Sequence, residues 1–446
     1  MGQRISCPAA DLLQELIRVN TVNDPSKGVK PGIEEAEEIL RILRGHGLRD
    51  ADILVDPPSP AIFVRRGGGR PVLLYLAHYD VVPPGPGWKG DPFKPRRQGD
   101  LIIGRGASDD KSNIATITEA LKNYTPRRGT LLIAFTGDEE TGGRSASWLY
   151  DSLAQEGLTP DYLVNGDGSL ERIIVRRRNA FRVVVEVDEE KDIVKGERFE
   201  KTFNTRILLR ETMHSAYFIP GVDTHALVAA SLWVRDREAN ISSLRGEWVK
   251  SNVLPRSATI CGVLAGSGEE HEYDGGLTSL IHSIIPLVRT PVEAELYSDY
   301  GVTVNPNYYE HSDGVHRLIL DVRAMTTDRE KIEYAFNYAL ENSITGRRYK
   351  LRVSGGGGYL YTPPTSRIVK AATSAAKALG LPSRTVEAGG ASDSRYFSPR
   401  GVESIDYGPR GYNVHGPEEA VSVSSLCRTA QFYRLLADTL FSGRSG

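Results

Sequence analysis

Three runs of the chain, Val72–Ala77, Thr130–Phe135 and Tyr162–Val164, are apolar at almost every position and do not alternate with polar residues. A strand buried on both faces reads this way, whereas a strand with one wet face alternates. Segments with helical spacing of apolar residues, Asn113–Tyr124 and Ser145–Gln155, separate these runs. Strands and helices in this order define an α/β fold, a mostly parallel sheet sandwiched by helices. Asp11–Asn20 and Glu34–His46 add two further helical patterns, and Leu101–Ile103 a short strand. Ala61–Arg65 and Arg70–Ala77 flank Gly67-Gly68-Gly69 and read as a hairpin.

The pattern changes near Arg172. Ile173–Val175, Arg182–Val187, Arg206–Leu209, Arg317–Val322 and Tyr349–Val353 read as strands, with helices at Asp223–Val234 and Arg329–Glu341. This is an inserted α+β domain over 173–354, dividing one domain into parts 1–172 and 355–446. Gly355–Gly358 reads as a hinge, since the lysine and helix start of a phosphate cradle are missing. Ile368–Leu379 and Ser424–Phe441 are helical, and Asp236–Asn305 carries no clear pattern.

Composition narrows the function. With 40% hydrophobic and 25% charged residues, the chain is not a disordered one. A net charge of -2 gives no basic field for nucleic acid. The apolar runs are too short to span a membrane, and Met1 to Asn20 has no signal-peptide core, so a cytoplasmic protein is expected. Cys7, Cys261 and Cys427 form no CxxC pair, so neither a disulfide framework nor a cysteine zinc site is expected. With nine histidines, any metal must take most of its ligands from carboxylates.

The apolar runs end on one kind of chemistry. Val72–Ala77 leads into His78-Tyr79-Asp80, Leu131–Phe135 into Asp138-Glu139-Glu140, and Tyr162–Val164 into Asn165-Gly166-Asp167. Ligands of parallel α/β sheets bind beyond the carboxyl ends of the strands, so these residues share one rim. Gly104–Lys111, with Asp109-Asp110, and His415-Gly416-Pro417-Glu418-Glu419 add two loops before helices. Each piece alone has a bland reading: a structural histidine, a helix cap, a solvated Glu-Glu pair. Together, converging carboxylates would repel one another unless cations neutralised them, and imidazole with carboxylate is a normal zinc donor set. The spacing of His78 and Asp80 suits Asp80 as the partner that fixes the imidazole tautomer. Glu139 and Glu140 point different ways, so one can bind metal while the other stays free as a base.

These motifs, with Val81-Val82-Pro83, Trp88, Asp91-Pro92-Phe93 and Gly389-Gly390-Ala391-Ser392-Asp393, resemble one family. It is the dizinc amidohydrolase and peptidase family of acetylornithine deacetylase, succinyl-diaminopimelate desuccinylase, carboxypeptidase G, aminoacylase, tripeptide aminopeptidase and carnosinase. The resemblance spans about Leu12–Ser169 and Thr362–Leu440. It implies that His78 and Asp167 bind one zinc, that Glu140 and His415 bind the other, and that Asp109 bridges them, with a cis Asp109–Asp110 peptide. It implies Glu139 as the general base that takes a proton from the attacking water and passes it to the leaving amine. Co or Mn could replace Zn in such a donor set.

The insert resembles the family's lid in part. Glu211-Thr212-Met213-His214-Ser215-Ala216 resembles the motif whose histidine reaches the partner subunit's site, which implies a homodimer and His214 as an oxyanion donor. Asp321-Val322-Arg323 resembles the lid's arginine motif, which implies Arg323, with Gly390, in substrate binding. Asn252 and Asn305 both fit the lid's asparagine, and the sequence does not choose between them. His225 is left as structural. The implied substrate is a small N-acyl amino acid, as for the deacetylase and desuccinylase branch. Asp167 is the residue usual in the family's aminopeptidases and dipeptidases, so a short unblocked peptide is the alternative. A catalytically silent binding protein is disfavoured because every ligand and the base are present.

Overall fold

The computed structural model describes residues 7–208, 213–293 and 302–442. The chain divides into two compact units, Met1–Arg177 with Tyr359–Gly446, and Arg178–Gly358. Leu209, Glu211 and Thr212 of the sequence patterns above, and residues 294–301, lie outside the described residues.

The first unit is built on a nine-stranded sheet. At its centre Gly129–Thr136, Val72–His78, Tyr162–Asn165 and Glu403–Asp406 run parallel. Its flanks hold antiparallel pairs, including Asp52–Leu54 with Ala61–Gly68 on one side and Ile173–Arg177 with Leu360–Tyr361 on the other. Every residue of Val72–His78 and Gly129–Thr136 is buried, because helices cover both faces. Pro8–Arg18, Lys111–Leu121, Arg367–Ala378 and Val423–Phe441 share one apolar cluster with Leu73, Tyr75, Leu131 and Ile133. The opposite face packs Leu74, Leu76 and Leu132 on Leu149 and Leu153 of the helix Arg144–Gln155. Each such leucine contributes roughly 1.5–3 kcal/mol by leaving water.

Three expectations change. The strands at Ala61–Gly68 and Val72–His78 do not pair as a hairpin; Gly129–Thr136 lies between them, antiparallel to the first and parallel to the second. Ile173–Arg177 belongs to the first unit, where it pairs with Leu360–Tyr361. Cys7 and Cys427 are joined in a disulfide that ties the start of the first helix to the last one. Their separation of 420 residues is spanned by the fold, with Cα atoms 5.8 Å apart.

A small antiparallel sheet, Gly411–Tyr412, Ala420–Ser422, Leu101–Ile103 and Arg96–Gln98, completes the first unit. Ile103 pairs with Ala420, which sets the loop after residue 103 beside the loop 413–419.

The second unit holds two four-stranded antiparallel sheets. One orders Thr303–Ser312, Val315–Ala324, Asn179–Asp188 and Tyr349–Gly355; the other Asn240–Gly246, Ser257–Ala265, Lys191–Asn204 and Glu269–Asp274. Its core joins Val183, Val185, Leu318 and Leu320 to Ile284, Ile332 and Phe336 from two helices, Gly275–Val288 and Arg329–Glu341. The stretch 236–293 thus resolves into three strands and a helix. Arg206 makes only an isolated bridge to Thr224, not a strand.

Candidate metal centre

The parallel register brings the strand ends level. His78 pairs with Thr136, and Leu76 with Asn165, so the residues that follow emerge on one rim. The chain turns sharply after Thr136 at Gly137, where a Cβ would meet the Tyr79 ring and hydroxyl at 2.4 Å. This close approach admits only glycine and delivers Asp138, Glu139 and Glu140 directly to the rim.

Asp109 stands between two imidazoles. Its Oδ1 lies 3.0 Å from His78 Nε2 and its Oδ2 lies 3.0 Å from His415 Nε2. His415 Nε2 is also 3.0 Å from Glu140 Oε1. Donor atoms of Asp109, Glu140 and His415 lie within 4.8 Å of one another, close enough to hold a metal ion. The peptide Asp109–Asp110 is cis.

Asp80 organises the rim from beneath and is fully buried. Its Oδ1 lies 3.2 Å from His78 Nδ1. The carboxylate also accepts the backbone N–H groups of Glu139 and Glu140, both at 3.1 Å, and the Asn23 amide at 3.0 Å. One carboxylate therefore orients an imidazole and fixes the loop that carries the next two acids.

The electrostatics describe a cluster short of positive charge. Burial and the charge of Asp109 push Glu140 up to about 7. Burial raises Glu139 too, against the attraction of Arg395, and raises Asp167 well above the usual carboxylate range, against Arg177. Asp109 alone is held far down: hydrogen bonds from His415 and His78 outweigh its burial. Against burial, Asp109 and Glu140 together draw His415 up to about 11. A divalent cation held between these imidazoles and carboxylates would neutralise the same acids. Imidazole nitrogen with carboxylate oxygen is a donor set that fits such a cation.

Asp167 follows the third strand, and its electrostatic partners include Asp109 and Glu139. Gly390, with φ 82, sits beside Arg177, whose Nη1 donates to Gly389 O at 2.8 Å.

His214 and Arg323 lie in the second unit. His214 Nδ1 accepts the Ala216 N–H at 3.1 Å, and its Nε2 lies 3.5 Å from the Asn252 amide. Asn305 is buried and donates to Ser215 O, so Asn252 is the asparagine beside His214. Arg323 is buried, and its Nε donates to both oxygens of Asp321. His225 is buried against Asn307.

Residue-by-residue reading missed three arginines. Arg395 faces Glu139, Arg177 pairs with Asp406 and Asp167, and Arg105 pairs with Glu419. The weak signal for Arg177 was its place in an arginine run, which reads as a solvated face.

The mostly parallel α/β sheet carries a rim of imidazole and carboxylate that can hold a divalent cation. The chain belongs to peptidase family M20/M25/M40, whose family model matches residues 74–439. It is 26% identical over 359 residues to a succinyl-diaminopimelate desuccinylase of Nitratiruptor sp., covering 78% of this chain and 79% of the relative. It is 25% identical over 436 residues to the enzyme of that name from Thioalkalivibrio sulfidiphilus, covering 95% and 96%. Among solved structures, aminoacylhistidine dipeptidase from Vibrio alginolyticus shares the fold with a TM-score of 0.69, at 14% identity and 96% coverage of both chains.

Proposed function

We propose that the protein is a dimetal amidohydrolase that releases an amino acid from a small N-acyl conjugate, with N-succinyl substrates first in order. The observation that carries this reading is Asp109, whose two oxygens face His78 and His415 at 3.0 Å each. A carboxylate so placed is suited to bridge two cations, one held with His78 and Asp167 and the other with Glu140 and His415. Zn suits the donors best, and Co or Mn would also enter. Divalent ions held by these residues would supply Lewis acidity toward the scissile carbonyl and the attacking water.

The remaining chemistry falls to side chains. Glu139 takes the proton from the water and returns it to the leaving amine. Asp80 holds the His78 tautomer and the 139–140 loop. His214, with Asn252 beside it, is assigned to the oxyanion at the site of a partner subunit in a homodimer. Arg323 and Gly390 are assigned to substrate binding. The acyl preference is supported by the desuccinylases at about a quarter identity over nearly the whole chain. Asp167, in a position where the family's dipeptidases share it, supports a second reading, hydrolysis of short unblocked peptides.

Metal analysis of the purified chain, joined to a panel of N-succinyl and N-acetyl amino acids and free dipeptides, tests the proposal. Metal-dependent turnover of acylated substrates is expected. Turnover of free-amine substrates alone would replace the first reading with the second, and a chain that takes up no metal would remove both.

A further inference from the structure

Glu419 is fully buried, and its carboxylate is saturated by donors from one loop. Oε2 accepts from Arg105 Nη1 at 2.6 Å and Gly106 N at 3.0 Å. Oε1 accepts from Ser108 N at 2.8 Å and Asp109 N at 2.9 Å. The Glu419 carbonyl accepts Gly104 N at 2.9 Å. The backbone that presents Asp109 is therefore threaded onto one side chain from the loop that presents His415.

Arg105 extends the connection. It is 1% exposed, and its Nη2 reaches the carbonyls of His415 and Pro84, both at 3.3 Å. Pro84 continues the segment that begins at His78, so one guanidinium links its own Asp109-bearing segment to the two that bear His78 and His415. Its other face lies over Trp88, 5.3 Å from the ring centre.

The His415 loop needs such a tie. Half of the His415 side chain is exposed, so packing does not fix the ring. His415 has φ 62 and Glu418 φ 56, left-handed conformations that a side chain adopts only when its surroundings impose them. Replacing a buried ion pair by apolar residues is often neutral or favourable for stability, so hydrophobic packing would serve the fold as well. Directional bonds to the N–H groups of Gly106, Ser108 and Asp109 and to the His415 carbonyl serve position instead.

We propose that the Arg105–Glu419 pair is a positioning element that fixes Asp109 against His415 and thereby sets the affinity of the metal position formed by Glu140 and His415. The proposal rests on the dimetal reading of the site. The position shared by His78 and Asp167 depends on it less, because His78 is held by its own strand and by Asp80.

The test is stepwise titration of the full-length metal-free protein with Co2+, followed by visible absorption and by equilibrium dialysis. Wild type is expected to take two equivalents. Glu419→Gln keeps the shape but sets an N–H2 group against N–H donors; it should bind the first equivalent normally and the second about 10–100-fold more weakly, with an altered second-step spectrum. Arg105→Lys, which keeps the charge, should lie between. Two equivalents bound as tightly by Glu419→Gln as by wild type, with the same spectra, would overturn the proposal. So would equal weakening of both steps, or a variant that fails to fold with Co2+ present, since either assigns the pair to the fold at large. A wild-type chain that binds no Co2+ would instead remove the dimetal reading itself.

Discussion

The guanidinium of Arg395 lies 3.7 Å from the carboxylate of Glu139, and each side chain is only 12% exposed. On its far side Arg395 Nη2 lies 3.6 Å from Asp393 Oδ1. Burial pushes the Glu139 carboxyl up while Arg395 pulls it down. A carboxyl so balanced could both accept and release a proton, as the general-base role proposed for Glu139 requires.

Replacing Glu139 separates that role from metal binding. Glu139→Gln should retain the metal content of the wild type and lose about 10²–10⁴-fold in kcat, the usual worth of a positioned general base. Metal analysis and steady-state kinetics on the same preparation check this. Unchanged turnover would remove Glu139 from the mechanism.

Gly143 closes over the same cluster. A Cβ there would stand 1.9 Å from Asp393 Oδ1 and 2.9 Å from Arg395 Nη2, and its φ of 62 is left-handed. Gly143→Ala should destabilise the first unit by roughly 2–4 kcal/mol, combining overpacking with left-handed strain. It should also depress turnover, because Asp393 and Arg395 cannot yield without moving Glu139. Urea unfolding beside kinetics at saturating substrate checks both effects.

The sheet was legible because its central strands are apolar on both faces, and so were the acids that end them. Pairing order was not. The glycines after Gly67 signal a local turn, but Val72–His78 accepts two neighbours, and the better apolar match came from Gly129–Thr136 far along the chain. The Cys7–Cys427 bond escaped for the same reason: its partners meet only through the packed helices. In the second unit Lys191–Asn204 is largely exposed, so no apolar alternation marked it. Arg105, Arg177 and Arg395 were invisible as site residues because an arginine shows its role only through the carboxylate it meets.

Metal removal should cost stability as well as activity. Asp109, Glu140 and Asp167 meet at one rim, and burial raises two of the three carboxyls. Chelation should abolish turnover and lower the Tm. Restoring a divalent ion at ~100 times its Kd should return about 3 kcal/mol by mass action. Calorimetry of the chelated and reloaded protein, with Zn, Co and Mn in separate samples, reads both the effect and the preferred ion. An unchanged Tm would place the acids in a purely structural cluster.

His225 gives a pH dependence in the second unit that is independent of the metal centre. It is 2% exposed, its Nδ1 has no hydrogen-bond partner among the described residues, and its Nε2 meets Asn307 at 3.2 Å. Burial pushes its pKa from 6.5 down to about 4, against the hydrogen bond to Asn307. The folded state therefore keeps the ring neutral where the unfolded chain protonates it. Its contribution to stability is whole above the unfolded value, falls as the pH drops from 6.5 towards 4, and changes no further below that. The full loss is roughly 3 kcal/mol at 1.36 kcal/mol per unit. His225→Gln keeps a polar side chain at the Asn307 contact and has no proton to take up. The variant should be less stable than wild type at neutral pH, and most of that difference should vanish or reverse near pH ~4.5, the lower part of the window. Urea unfolding of both proteins at the two pH values checks this, and parallel pH profiles would show that another group carries the acid sensitivity.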